Sequence, residues 1–242
     1  MPDRIFLRIV LVILAVLAAL SMRTAFAETP KQLEPQRVEA GMLPGDYCNA
    51  RGYRTPWTPE AKAQTRARVQ AVTSELGVSR AVAAYHQAIL WRESFGGEAS
   101  VRHTLGEDVR GQEDGLGPYG LSLRWHRDKW PGENEDPAFC SPEVSAVVAH
   151  EIMWRAVTRH GASTLLEVQA VYAGAVTRRG GVSVFTLSPR ARQGIRARMR
   201  KQGFSADAPI TERDLGRRLG ELERREFAVE LAGRWIAAHR GR

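Results

Sequence analysis

Ile89-Leu90-Trp91-Arg92-Glu93-Ser94-Phe95-Gly96-Gly97 is the stretch on which the reading of this chain turns. Upstream of it Val78, Val82, Tyr85 and Ile89 recur at steps of three and four residues, the spacing of one helix face, and the next step of four lands on Glu93. A core-facing stripe that ends in an acid puts a carboxyl where lost hydration raises its pKa toward the range a general acid needs. Gly96 and Gly97 end the helix and let the backbone open around the side chain. A helix-end glutamate in a surface ion pair satisfies the same pattern, so the stripe alone leaves the role of Glu93 open.

The start of the chain sets the compartment. Arg4 and Arg8 precede an uncharged run from Ile9 to Leu20, and Ala25-Phe26-Ala27 offers small residues at the spacing of a signal-peptidase site, so residues 1–27 read as a secretory signal. The run is shorter than the roughly 20 residues that span a bilayer, which argues against a retained transmembrane anchor. The chain has 242 residues and a formal net charge of +8; removing residues 1–27 takes away three arginines and one aspartate and leaves about +6. Outside the cytoplasm, in a periplasmic or secreted setting, a basic surface meets anionic cell-envelope polymers rather than nucleic acid. Cys48 and Cys140 are the only cysteines, and the simplest use of an isolated pair in an oxidising compartment is one disulfide.

Residues 28–57 carry four prolines with no sustained period and read as an irregular N-terminal arm. Thr58-Pro59-Glu60 starts a helix that Gly77 ends, and Ser79 caps a second helix running to about Ser94. From Phe95 to about Ser122 no periodic segment occurs, and loops of that length in compact domains are functional or disordered. Ser141-Pro142-Glu143 starts a helix with the stripe Val144, Val148, Ile152 and Ala156, stopped by Gly161; Ser163 opens another through Tyr172. A turn at Arg178-Arg179-Gly180-Gly181 and one short strand over 182–187 follow, then a basic helix from Ser188-Pro189 to about Gly203. Thr211 starts the last helix, with Leu215, Leu219, Leu222, Phe227, Leu231 and Trp235 as a drifting stripe. The result is an all-α expectation.

Several motifs fail in context. Gly115-Leu116-Gly117-Pro118-Tyr119-Gly120 satisfies the dinucleotide pattern formally, but no strand precedes it and Pro118 sits inside it. His150-Glu151 begins like a zinc-protease helix, yet Trp154 stands where the second histidine belongs, and the other histidines lack metal-ligand spacing, so neither metal nor cofactor is expected. No nucleophile elbow is present. Carboxylate chemistry remains.

Helix, Glu93-Ser94, a glycine-rich loop, Gly120-Leu121-Ser122-Leu123, a helix from Ser141, and Val171-Tyr172-Ala173-Gly174 follow one another in an order and spacing that resembles the soluble lytic transglycosylase-type domain of the lysozyme-like superfamily, over roughly residues 59–178. The family pattern there reads E-S, then G-L-M-Q, then A-Y-N-A-G. The resemblance implies a lysozyme-like helical domain over 58–179 between the arm and a basic helical C-terminal extension over 180–242. It implies peptidoglycan glycan strands as partner and Glu93 as the single catalytic acid, with Ser94, Tyr119, Gly120, Leu121, Ser122 and Tyr172 around the sugar. Tyr172 would hydrogen-bond the Glu93 carboxyl or pack under it. One carboxylate suffices where the sugar's own hydroxyl replaces the external nucleophile.

Ser122-Leu123 replace Met-Gln and no asparagine follows Tyr172, so a non-catalytic wall-binding scaffold is the alternative from another class. Glu107, Asp108, Glu113 and Asp114 admit a lysozyme-type hydrolase with a second acid, or simply a solvated loop. Glu151 reads as an inter-helix ion pair. Trp125 and Trp130 read as sugar platforms or as core.

Overall fold

The structure, a computed structural model, describes residues 59–91, 117–121 and 141–239. Cys48, Glu93, Ser94, Ser122, Cys140 and the acids of the loop between Glu93 and Gly120 lie outside the described residues. Most of what is described is helix: α1 (Pro59–Glu75), α2 (Arg80–Leu90), α3 (Pro142–His160), α4 (Leu165–Tyr172), β1 (Val176–Arg179), β2 (Val182–Phe185), α5 (Pro189–Lys201), α6 (Glu212–Leu215) and α7 (Glu221–His239).

Helix α3 is the centre. Its ends follow from local chemistry: the Ser141 hydroxyl accepts from the Val144 amide, Pro142 fills the first turn, where no amide donor is needed, and Gly161 closes the helix in the left-handed region at φ 68°. The stripe Val144, Val148, Ile152 and Ala156 is buried as its spacing requires, but so are Ser145, Ala146, Ala149 and Met153 on the other faces. Small residues there let α1, α4, α6 and α7 approach from all sides, so α3 is a core helix rather than a one-sided amphipathic one.

Two buried ionic contacts tie α3 to its neighbours. Arg68 of α1 grips Glu143 in a fork, Nε to Oε1 at 2.7 Å and Nη2 to Oε2 at 2.6 Å, and the Ser141 hydroxyl donates to the same carboxylate at 2.7 Å. Glu151 is the inter-helix ion pair its place beside the stripe suggested. Arg155 reaches it at 2.9 Å from the next turn, and Arg218 and Arg224 of the C-terminal segment each reach it at 3.5 Å.

The C-terminal third departs from expectation in two places. Val176 to Phe185 forms a two-stranded antiparallel hairpin rather than one strand over 182–187, with Val176 opposite Phe185 and Arg179 opposite Val182. Gly180 and Gly181, both at positive φ, supply the two-residue turn whose twist suits a hairpin. The hairpin tip coincides with the boundary after residue 179, and residues from both sides of it, Leu165 and Val168 with Ile195 and Met199, share one core. The single last helix is two, α6 and α7. Gly216 separates them at φ 67°, ψ −133°, a region essentially closed to side chains, and the Arg217 amide donates to the Leu76 carbonyl at 2.8 Å. The break turns Leu222 out to solvent, 76% exposed, while Leu219, Phe227 and Leu231 stay in the core.

A β-carbon at Gly216 overlaps the Leu76 carbonyl oxygen and the Gly77 backbone, which cannot give way as a side chain can. Gly216→Ala is therefore expected to lower the unfolding free energy by at least about 2 kcal/mol in urea titration. A neutral substitution contradicts this path of the chain.

Candidate functional site: a buried tyrosine and histidine cluster behind the Gly117 to Gly120 turn

Helix α2 positions the site. Ser79 caps it, accepting from the Val82 amide at 3.4 Å, and Val82, Tyr85 and Ile89 are fully buried, as the stripe requires. Helical backbone continues through Trp91, which is 48% exposed; the expected extension to Ser94, with Glu93 on the continuation of the buried face, lies outside the described residues. His86, beside Tyr85, is also fully buried.

Residues 117–120 form a turn closed by the Gly120 amide on the Gly117 carbonyl at 3.1 Å, with both glycines at positive φ. Two side chains hold it. The Tyr172 hydroxyl at the end of α4 donates a short hydrogen bond to the Tyr119 backbone carbonyl. The Tyr119 hydroxyl lies 2.8 Å from His86 Nδ1, their rings edge to face at 5.9 Å. The turn is thus pinned to α4 through its backbone and to α2 through its side chain.

Behind His86 the polar cluster continues. Its ring stacks on His150 of α3 at 5.9 Å, and the Trp154 indole donates to His150 Nε2 at 3.0 Å. The Arg217 carbonyl sits 3.2 Å from the same nitrogen. The indole needs this nitrogen as acceptor and the carbonyl needs it as donor, so it serves one of the two at a time. His150 Nδ1, His86 Nε2 and Gln169 Nε2 are buried with no hydrogen-bond partner among the described residues. The Tyr85 hydroxyl donates to Gln169 Oε1 at 3.2 Å and joins α2 to α4.

The electrostatics keep the cluster uncharged. Burial, with His150 beside it, holds the His86 pKa well below the usual histidine range. Burial also pulls His150 down to about 4, against the raising influence of the Arg217 carbonyl and Glu151. Burial and the neighbouring Tyr85 push the Tyr119 phenol well above 10. These shifts favour the uncharged forms near neutral pH, so the cluster joins the helices as a set of neutral hydrogen-bonding groups. No group of three or more His, Cys, Asp or Glu side chains gathers as a metal site among the described residues, and Trp154, in the second-ligand place of the zinc-like motif, donates to the first.

Of the residues expected around the sugar, the structure brings Tyr119, Gly120, Leu121 and Tyr172 into one neighbourhood. Tyr119 and Leu121 point inward and are at most 1% exposed, so their side chains are core and only the turn backbone can face a ligand. The Tyr172 hydroxyl is spent as a donor on Tyr119, a partner the sequence did not suggest. The sequence reading weighed His150 and the other histidines only as metal ligands and did not single out Gln169, although two spacings carried a signal: His86 lies three residues before Ile89 of the stripe, and His150 four before Trp154. Comparison of the chain with protein-family models, with curated proteins and with solved structures gives no match to any of them.

Proposed function

We propose that the chain cleaves peptidoglycan glycan strands by lytic transglycosylation, acting outside the cytoplasm with Glu93 as its single catalytic acid. The observation that supports this reading best is the Tyr172 to Tyr119 hydrogen bond. It joins the two motif segments that are far apart in sequence, and the Tyr119 hydroxyl in turn lies 2.8 Å from His86 of α2, the helix that precedes Glu93 in the sequence. With its proton committed to the Tyr119 carbonyl, the Tyr172 hydroxyl can serve a neighbouring carboxyl only as acceptor, which favours the protonated acid.

In this mechanism the Glu93 carboxyl gives its proton to the oxygen between N-acetylmuramic acid and N-acetylglucosamine as the bond to the muramoyl anomeric carbon breaks. The resulting carboxylate takes the proton of the muramoyl 6-hydroxyl as that oxygen closes on the anomeric carbon. A 1,6-anhydro end forms and the acid is regenerated without water. Holding the hydroxyl near the reacting carbon replaces a second catalytic carboxylate.

Glu93→Gln keeps the shape and removes the proton. Release of soluble fragments from purified sacculi by the mature chain is expected to fall at least about a hundredfold in this variant. Equal release by both forms sinks the enzymatic reading, and retained sacculus binding with no release by either favours a wall-binding scaffold. Water taking the place of the 6-hydroxyl gives hydrolysis on the same site, recognised by new reducing ends.

A further inference from the structure

A groove of about 590 Å³ opens where α1, α2 and the end of α5 meet, on the face of α2 that carries Arg80, Ala84 and Gln87 rather than the buried His86. Alanines of α1 and α2 floor it, so the helices leave room instead of filling it. Its polar lining among the described residues is two guanidiniums, Arg66 and Arg80, three amides, Gln70, Gln87 and Gln202, and the Thr73 hydroxyl, with the Phe204 ring as a wall. No carboxylate lines it among the described residues. Two of the amides are held in place: Gln87 Nε2 donates to the Arg66 carbonyl at 3.4 Å and Gln202 Nε2 to the Ala84 carbonyl at 3.0 Å.

Phe204 also borders a second depression of about 470 Å³ lined by Arg196 and Arg200. Asp207, the one acid there among the described residues, is gripped by Arg196 through two bonds at 2.7 and 2.8 Å. The two hollows make a basic track along the outside of the bundle, while the α2 face that borders it continues to exposed Trp91.

We infer that this groove is a binding site for an anionic, amide-bearing oligosaccharide, separate from the cluster behind the Gly117 to Gly120 turn. Guanidiniums pair with carboxylates in forked geometry. Planar amides exchange hydrogen bonds with acetamido and hydroxyl groups, and an aromatic face accepts the apolar side of a sugar ring. The volume is in the range of small-ligand sites, and the open form suits one segment of a longer strand. Identification of that strand as muropeptide rests on the proposed function; the preference for a carboxylate-bearing sugar rests on the groove alone.

The test uses the mature chain carrying Glu93→Gln, a soluble disaccharide–tetrapeptide fragment of peptidoglycan as probe, and calorimetric titration. Arg80→Glu and Arg200→Glu change exposed side chains, and an unchanged Tm establishes that each variant folds. The fragment is expected to bind with a Kd that Arg80→Glu raises at least about tenfold, Arg200→Glu raises less, and added salt raises steadily, with chemical-shift changes at the Gln87 and Gln202 side-chain amides. Neutral chitotetraose is expected to bind at least about tenfold more weakly and to be indifferent to both substitutions.

Unchanged fragment affinity in Arg80→Glu, equal binding of chitotetraose, or tighter binding of single-stranded DNA than of the fragment overturns the inference. Sacculus cleavage by the chain with Glu93 intact separates this outcome from the catalytic one. Cleavage with fragment binding that ignores Arg80 overturns the groove alone; binding that Arg80→Glu abolishes in a chain that never cleaves overturns the catalytic reading alone.

Discussion

Arg68→Ala is expected to cost about 3–5 kcal/mol of unfolding free energy, a large fraction of what a domain of this size possesses. Arg68 and Glu143 are 1% and 2% exposed, and their forked contact joins α1 to the first turn of the central helix. Removing the guanidinium leaves a carboxylate buried with only the Ser141 hydroxyl to replace it among the contacts described. The cost is that of an uncompensated buried charge and exceeds the net worth of the pair. A loss below about 1 kcal/mol in Arg68→Ala places the pair in water and contradicts the packing of α1 on α3.

The second large effect is acid sensitivity between pH 6.5 and 4. In the folded chain His150 holds its proton only near pH 4, whereas unfolded it takes one up near 6.5, and His86 is displaced in the same direction. A group whose folded pKa is depressed contributes stability that is whole above the unfolded value and is lost as pH falls through the folded one. The contribution of His150 is therefore complete above about pH 6.5 and gone below about 4, and amounts to roughly 3 kcal/mol, with a further loss in the same direction from His86. The groups facing the pair do not rescue it. Tyr119 and Trp154 are neutral, and Glu151 is already shared among Arg155, Arg218 and Arg224. Unfolding free energy measured by urea at stepped pH should be flat from 8 to 6.5 and then fall. His150→Gln should shallow the slope over that window. Stability unchanged down to pH 4 contradicts a buried, neutral histidine pair. The acids with depressed pKa, Asp207, Asp214 and Glu223, contribute stability that is lost only as pH falls through and below the ordinary carboxylate range, so the upper part of the histidine window is free of them.

Where the sequence could be read, a local rule fixed the element. Ser79, Ser141 and Ser188 before helices, Gly161 after one, and the three-and-four stripe through Val82, Tyr85 and Ile89 all state their structure within a few residues. The misreadings share the opposite property. Gly216 breaks the last helix because its backbone lies against Leu76 and Gly77, some 140 residues away in sequence, and nothing near Gly216 announces that contact. Strand β1 was hidden because Val176-Thr177-Arg178-Arg179 has no alternation of its own, its pairing being set by the partner strand across Gly180-Gly181. The buried faces of α3 were legible only in part, since alanine and serine fit a surface as well as a tight core.

The candidate site divides along the same line. The resemblance puts Tyr119 and Tyr172 around one sugar, and in the fold their segments are joined by a hydrogen bond. How they meet was not legible. The resemblance has the Tyr172 hydroxyl bond the Glu93 carboxyl or pack under it, and the fold shows that hydroxyl donating to the Tyr119 backbone carbonyl, with Glu93 outside the described residues; the side chains of Tyr119 and Leu121 are buried. Polar residues one or two positions off an apolar stripe, such as His86 and Gln169, reveal themselves only when helices pack, because their partners come from other elements.

The central claim, that Glu93 cuts glycan strands without water, is tested most directly by mass spectrometry of the muropeptides that the mature chain releases from purified sacculi in ¹⁸O-labelled water. The account predicts 1,6-anhydro-muramoyl ends carrying no ¹⁸O, and their disappearance with Glu93→Gln. Reducing ends that carry ¹⁸O, or release that survives Glu93→Gln, contradict it.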